Sequence, residues 1–379
     1  MTEIQRRTAP VQAEAPAQED VCQQIVRRAN RTFVPAQHER VDFISSGSDL
    51  LNLALSQKGR RGGWARGRVN NIVGDGSSGK TLLALEACAN AYYTLLKRES
   101  PLWPTPTKLS IVYNNVEGVM DMPIERMYGD EFVAAVEWIP EEGEKMTCEA
   151  FGRDLLGRID SLPAGEALVY VLDSVDAADS TAGQKRMDAS IKSGDELDGT
   201  FGTEKAKYFS AAFFNNLCAR MAGKDVTIFL ISQVREKIDR MKFGEKYYRT
   251  GGKAMDFYTH QVLWLAQIEK LKKKYAGDER VYGVTVRGRV KRNKTAVPFR
   301  EADFNIIFDY GVDNILSAAN YLTPEEINKL HDGKRVSREG FVDMCYSDPE
   351  MAEALLLAVE ERWRRTEDNT KVVRPPRTW

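Results

Sequence analysis

The segment Gly74-Asp75-Gly76-Ser77-Ser78-Gly79-Lys80-Thr81 follows an apolar run at residues 69–73 and leads into a helical pattern at residues 80–96. It is a full match to G-x-x-x-x-G-K-T, set between a strand signal and a helix signal, the context that gives the pattern meaning. Glycines at this spacing let backbone N–H groups converge on phosphate oxygens. Lys80 supplies a cation for the β and γ phosphates of a nucleotide, and Thr81 places a hydroxyl on Mg²⁺ at the helix N-terminus.

Working outward, strand and helix signals alternate: extended at 109–113, helical at 148–159, extended at 167–172, helical at 206–221 and extended at 226–231. That alternation predicts an α/β fold, a mostly parallel twisted sheet wrapped by helices. Residues 262–268, 281–290 and 304–308 then read as successive strands without helices between them, which extends the sheet antiparallel. Thr323-Pro324 opens a helix. Asp348-Pro349 opens another, with Met351, Leu355, Leu356, Val359 and Trp363 on one stripe. The chain thus divides into a disordered leader (1–18), an N-terminal helix and arm (19–40), an ATPase core (41–315), a small helical C-terminal domain (316–365) and a basic disordered tail (366–379). Residues 179–203 and 234–252 carry neither periodicity. Both follow strand ends, where ligands gather in open α/β sheets, and long irregular loops in a compact domain usually have work to do.

With 379 residues and 42% hydrophobic content the chain has material for a real core, and a net charge of −1 means that any nucleic-acid site must come from local clustering. Its five cysteines are scattered without Cys-x-x-Cys spacing, which argues against a disulfide framework and a zinc site and fits a reducing cytoplasm. His38, His260 and His331 are too dispersed for a metal cluster. The first 20 residues lack an apolar stretch long enough for a signal peptide or membrane span, so no membrane partner is expected.

Residues 168–172 end in Asp173, which has the form of a Walker B carboxylate holding magnesium; Asp176 and Asp179 compete for that role, and Asp173 is preferred because it ends the strand. Glu117, just past the strand at 109–113, is the best-placed carboxylate to activate water, the alternative being a solvated loop glutamate. Gln233 ends the strand at 226–231 and opens the second loop, so its amide would link nucleotide state to that loop.

Over most of residues 41–364 the chain resembles the RecA recombinase family. The segments that carry this are Ile44-Ser45-Ser46-Gly47-Ser48, the phosphate loop, Leu172-Asp173-Ser174-Val175, Gln233-Val234-Arg235, Thr250-Gly251-Gly252, Arg292-Asn293-Lys294 with Pro298-Phe299, and Ser347-Asp348-Pro349-Glu350, in matching order and spacing. The resemblance implies an ATP- and Mg²⁺-dependent recombinase that polymerises on single-stranded DNA, pairs it with a homologous duplex and exchanges strands. It implies Glu117 as the hydrolytic carboxylate, Gln233 as γ-phosphate sensor and Asp121 as an adenine contact. Arg292 and Lys294 would reach a neighbouring subunit's nucleotide, so that ATP lies between subunits of a helical homo-oligomer.

In the second loop, Arg235, Lys237, Arg240, Lys242, Lys246 and Arg249 interleave with Phe243, Tyr247 and Tyr248 before Gly251 and Gly252. Cations track phosphates and aromatics stack on bases. Glu236, Asp239 and Glu245 dilute the charge, so a solvated loop is the competing reading. Residues 179–203 resemble the family's first DNA loop but are longer. The chain departs from the family at Ile124-Glu125, where an aromatic often covers the adenine, at Gly118 and at Arg292, and it lacks an acidic tail, which fits a divergent or phage-borne member. Phe33-Val34-Pro35-Ala36 has the form of an F-x-x-A polymerisation segment. Two other readings fit the phosphate loop: a RecA-type ATPase without strand exchange, such as a hexameric helicase or loader, and a non-catalytic DNA-coating filament protein.

Overall fold

Strand β3 (Val69–Gly74) is buried along its whole length because it runs between two parallel neighbours, β7 (Asp225–Glu236) and β9 (Gln261–Tyr275). A computed structural model describes residues 22, 41–100, 102–118, 120–141, 146–193, 205, 207–236, 247–249 and 252–374. A short pair, β1 (Phe43–Ile44) with β2 (Trp64–Ala65), precedes the main sheet. That sheet adds β4 (Lys108–Asn115), β5 (Val136–Ile139), β6 (Glu166–Asp173), β8 (Tyr247–Arg249), β10 (Asp278–Asn293), β11 (Glu301–Ile307) and β12 (Gly311–Asp313). Its order is β12-β11-β10-β9-β3-β7-β6-β4-β5, with β8 paired only to β7. From β9 to β5 neighbours are parallel, and from β9 to β12 they are antiparallel, the mixed arrangement expected from the strand and helix pattern.

Helices cover both faces and give each its own core. On one side α2 (Lys80–Thr94) buries Leu82, Leu83, Leu85 and Ala87 with α1 (Asp49–Ser56), while α3 (Ile124–Tyr128) and α4 (Asp130–Ala135) add Ile124 and Phe132 to the same cluster. On the other, α5 (Cys148–Ser161) packs Phe151, Leu155 and Ile159 against Leu168, Tyr170 and Leu172 of β6. The helix expected over 206–221 is a π-helical turn at Tyr208–Phe213 running into an α-helix at Phe214–Met221. Phe209, Phe213 and Phe214 all point into this core. Gly152 leaves room for Tyr208, because a Cβ would lie 1.7 Å from the Tyr208 hydroxyl oxygen and displace that side chain.

Arg66 is fully buried between two carboxylates, Asp42 at 2.8 Å and Asp225. It ties the segment before β3 to the start of β7. After α5 come α6 (Thr181–Ser193), α7 (Phe214–Met221) and α8 (Gly252–Tyr258), and the C-terminal helices α9 (Asn314–Tyr321), α10 (Pro324–Leu330), α11 (Arg338–Ser347) and α12 (Pro349–Thr370) join the core of the α2 face through Ala318, Ile327, Phe341, Leu355 and Trp363. Thr323 and Glu326 form a reciprocal capping box, and Asp348 caps α12 by accepting from Glu350 and Met351. α12 runs to Thr370, past the point at residue 365 where the sequence suggested a disordered tail, because nothing helix-breaking intervenes before Lys371.

Two expectations of irregular structure are corrected. Within 179–203 lies a helix, Thr181–Ser193, started by Ser180, whose Oγ accepts the Gly183 N–H at 3.0 Å. It escapes periodicity because it buries only Gly183 and leaves Met187 and Ile191 exposed, so it has no core stripe to show. The ends of 234–252 also form regular structure. β7 continues past the sheet to Glu236 and pairs antiparallel with β8, with Val234 opposite Arg249, and a helix spans Gly252–Tyr258. Residues 1–40 other than Cys22, with the Phe33-Val34-Pro35-Ala36 segment, and Lys237, Arg240, Lys242, Phe243, Lys246, Gly251 and 375–379 lie outside the described residues. Cys22 itself is buried, its thiol donating to the Leu330 carbonyl at 3.3 Å.

Candidate functional site

The phosphate loop sits at the C-terminal edge of the parallel sheet, between the end of β3 and the start of α2. Gly74 is required by packing, since a Cβ would meet Ser78 Oγ at 2.3 Å and the Leu265 side chain at 3.2 Å. Gly79 has φ +84°, and a Cβ there would lie 2.5 Å from Ile306. Asp75, Gly76 and Ser77 are exposed. Ser78 Oγ donates to the Asp75 carbonyl at 2.8 Å, and Lys80 Nζ turns back to the same carbonyl at 2.6 Å. Burial pulls the Lys80 ammonium below its ordinary value, against the opposing pull of Asp173, Glu117, Asp75 and Asp176. A cation held close to several carboxylates and to an exposed turn is poised to accept anionic oxygen.

Thr81 Oγ donates to Asp173 Oδ2 at 2.7 Å, and the buried Tyr113 hydroxyl donates to the same oxygen at 2.8 Å. Of the three competing carboxylates, Asp173 is therefore the one at the phosphate loop. Asp176 instead accepts the Gln233 backbone N–H at 2.7 Å, and Asp179 accepts that of Ser180. Asp173 is 3% exposed, and burial raises its pKa, aided by Glu117 and opposed by Thr81, Tyr113 and Lys80. Among the described residues no group of three or more His, Cys, Asp or Glu side chains could hold a metal. One buried carboxylate beside a hydroxyl suits Mg²⁺, which takes one or two protein oxygens and draws the rest from phosphates and water.

Glu117 lies across the same edge. Its backbone N–H donates to the Asp173 carbonyl at 3.3 Å, while its Oε1 accepts Ser174 Oγ at 2.8 Å and Gln233 Nε2 at 3.2 Å. Residues from the ends of β4, β6 and β7 thus meet at one carboxylate oxygen. Gln233 is level with Gly74 in the β3–β7 register, and the next residue begins the β7–β8 ribbon. Of the cationic and aromatic loop residues expected there, Arg235, Tyr247, Tyr248 and Arg249 are on the ribbon, and Gly252 opens the helix after it. Asp121 is exposed, on the segment before α3, and Ile124 is buried.

Arg292 and Lys294 fall elsewhere. β10 runs antiparallel to β9, so Arg292 pairs with Val262 and Asn293 with Gln261, level with Asn71 and Asn70 of β3. That is about 10 Å of strand back from Gly74, and two strands aside, about 10 Å more. Lys294 donates to the Phe257 carbonyl and lies 5.6 Å over its exposed ring. These two cations cannot serve the phosphate loop of their own chain.

A family model of the RecA N-terminal domain matches residues 160–313, which include Asp173, Gln233, Arg292 and Lys294. Protein RecA of Oleidesulfovibrio alaskensis is 31% identical over 279 residues, spanning 73% of this chain and 67% of that protein. The chain belongs to the RecA family. Protein RecA of Rippkaea orientalis is 29% identical over 86% of this chain and 84% of its own length, and that of Streptomyces venezuelae 31% over 76% and 64%. At this distance the RecA-family chain is a divergent member. Sequence reasoning missed Tyr113 and gave no role to Ser174. Tyr113 reads only as one more apolar strand residue, and Ser174 had no visible partner until β4 brought Glu117 beside it.

Proposed function

We propose that this RecA-family chain is a DNA-dependent ATPase that polymerises on single-stranded DNA and drives homologous pairing and strand exchange. The observation that carries the reading is the shared oxygen of Glu117, held by Ser174 behind the magnesium-type carboxylate and by Gln233 at the root of the cationic ribbon. The phosphate loop binds the nucleotide, with Asp121 toward its base. Lys80 leaves the Asp75 carbonyl to neutralise the β and γ oxygens. Thr81 and Asp173 would hold Mg²⁺, which when bound offsets charge on those oxygens. Glu117 accepts the proton of the attacking water as the water oxygen bonds to the γ phosphorus, and ADP leaves. Gln233 feels the γ phosphate through its amide and passes its loss to the residues from Val234 onward.

Arg292 and Lys294 are assigned to a neighbouring copy's nucleotide, since they lie on the wrong edge for their own. Cations supplied in trans raise phosphoryl-transfer rates by roughly 10³- to 10⁵-fold. Hydrolysis is thereby tied to assembly. The ribbon and the residues between its two strands contact DNA through Arg235, Lys237, Arg240, Lys242, Lys246 and Arg249, with Phe243, Tyr247 and Tyr248 stacking on bases.

The test is ATP turnover with and without single-stranded DNA, with electron microscopy of the same samples in a slowly hydrolysed ATP analogue. Stimulated turnover with extended helical filaments is expected. Closed rings would move the assignment to a helicase or loader, and filaments without turnover to a DNA-coating protein.

A further inference from the structure

Within four residues, the turn that leaves β6 is tied to α2, to the end of β4 and to β7. The Asp173 side chain takes Thr81, and Ser174 Oγ donates to Glu117. The Val175 N–H donates to the Ile231 carbonyl of β7 at 2.9 Å, the last backbone rung between this turn and that strand. β6 has ended at Asp173, yet β7 continues to Glu236. The next β7 N–H on that side belongs to Gln233, and the Asp176 carboxylate takes it at 2.7 Å where a further strand residue would have offered a carbonyl. The Asp176 carbonyl in turn accepts the ammonium of Lys205, a 9% exposed residue between the Thr181–Ser193 helix and the aromatic π turn.

We infer that Asp176 is a positioning residue that couples both loop segments to the hydrolytic carboxylate. Its side chain sets the backbone of Gln233, whose amide reaches Glu117, and its main chain receives Lys205 from just beyond residues 179–203. It lies on the same turn as Ser174, the second donor to Glu117, two residues further on. A shift of the β7–β8 ribbon on DNA moves the Gln233 N–H, and Asp176 carries that displacement into the Ser174–Glu117 hydrogen bond. Without this tie, only the Val175–Ile231 rung and the shared Glu117 oxygen join Gln233 to Ser174. The inference rests on the DNA-dependent ATPase reading above.

The experiment measures kcat and KM for ATP, with and without single-stranded DNA, in the full chain and in three variants. Asp176→Ala removes the acceptor and is expected to lower the DNA-stimulated to basal kcat ratio about tenfold, the low end for deleting a hydrogen bond to a charged group. KM for ATP should move less than about twofold. Asp176→Asn keeps an oxygen in place and is expected to retain at least about half the stimulation. Asp176→Glu keeps the charge but displaces it by a methylene; it should lose stimulation, and it serves where the alanine variant does not fold. Retained stimulation in the alanine or glutamate variant overturns the inference, as does equal loss in the asparagine variant. If the unaltered chain hydrolyses ATP with no response to DNA, it is the ATPase reading that fails, and the coupling role falls with it.

Discussion

Replacing Glu117 with glutamine tests the centre of the site. Glu117 uses one oxygen, Oε1, to accept from both Ser174 and Gln233. A glutamine side chain can place its amide oxygen at the same point, so both donors stay satisfied and the backbone link to Asp173 is untouched. What disappears is the charge and the base. The charge matters locally, since it adds to the raised pKa of Asp173 and helps hold up that of Lys80. Removing it makes Asp173 easier to ionise, so nucleotide binding should persist. General-base catalysis is worth roughly 10²- to 10⁴-fold, about 3–5 kcal/mol of barrier. The variant should therefore lose that much single-turnover hydrolysis on single-stranded DNA, keep KM for ATP within about threefold, and leave DNA-bound filaments that persist under ATP. Turnover within about threefold of the parent would refute the role of Glu117. A large loss of ATP affinity would show instead that its place is structural.

Arg66→Leu leaves Asp225 buried without its cation and Asp42 with Arg98 alone, and should cost about 3–5 kcal/mol in denaturant unfolding; a loss under ~1 kcal/mol would mean that Asp225 finds another partner. Glu86, on α2, is buried beside the Tyr128 hydroxyl, and burial lifts its pKa from 4.5 to about 7 against the opposing pull of that hydroxyl. Because the folded state holds this proton more tightly, stability from this group declines as pH rises from 4.5 through 7. Glu86→Gln should flatten that decline and gain at most about 3 kcal/mol above pH ~8 in thermal or denaturant melts. An unchanged pH profile would place the carboxyl in solvent.

The phosphate loop and the order of strands were legible because both are written locally. The loop is eight consecutive residues, and buried parallel strands read as apolar runs separated by helical periodicity. The capped helices at Thr323 and Asp348 were legible for the same reason. The helix at Thr181–Ser193 was not, because an exposed helix shows no stripe, and the ribbon at Val234–Glu236 was not, because its partner strand is three residues of tyrosine and arginine.

Tertiary structure decided which partner each carboxylate meets. Asp173, Asp176 and Asp179 are near neighbours in sequence, and only the packing of α2, β7 and α5 around their turn sends the first to Thr81, the second to Gln233 and the third to the start of a helix. Glu117 lies 57 positions from Ser174 and 116 from Gln233, and they meet because parallel strands of one sheet end on a common edge. The same register sets Arg292 and Lys294 on the opposite edge from Gly74. A local motif specifies its own chemistry; strand direction and register, fixed by long-range hydrogen bonding and burial, determine which motifs share an edge of the sheet and which lie apart.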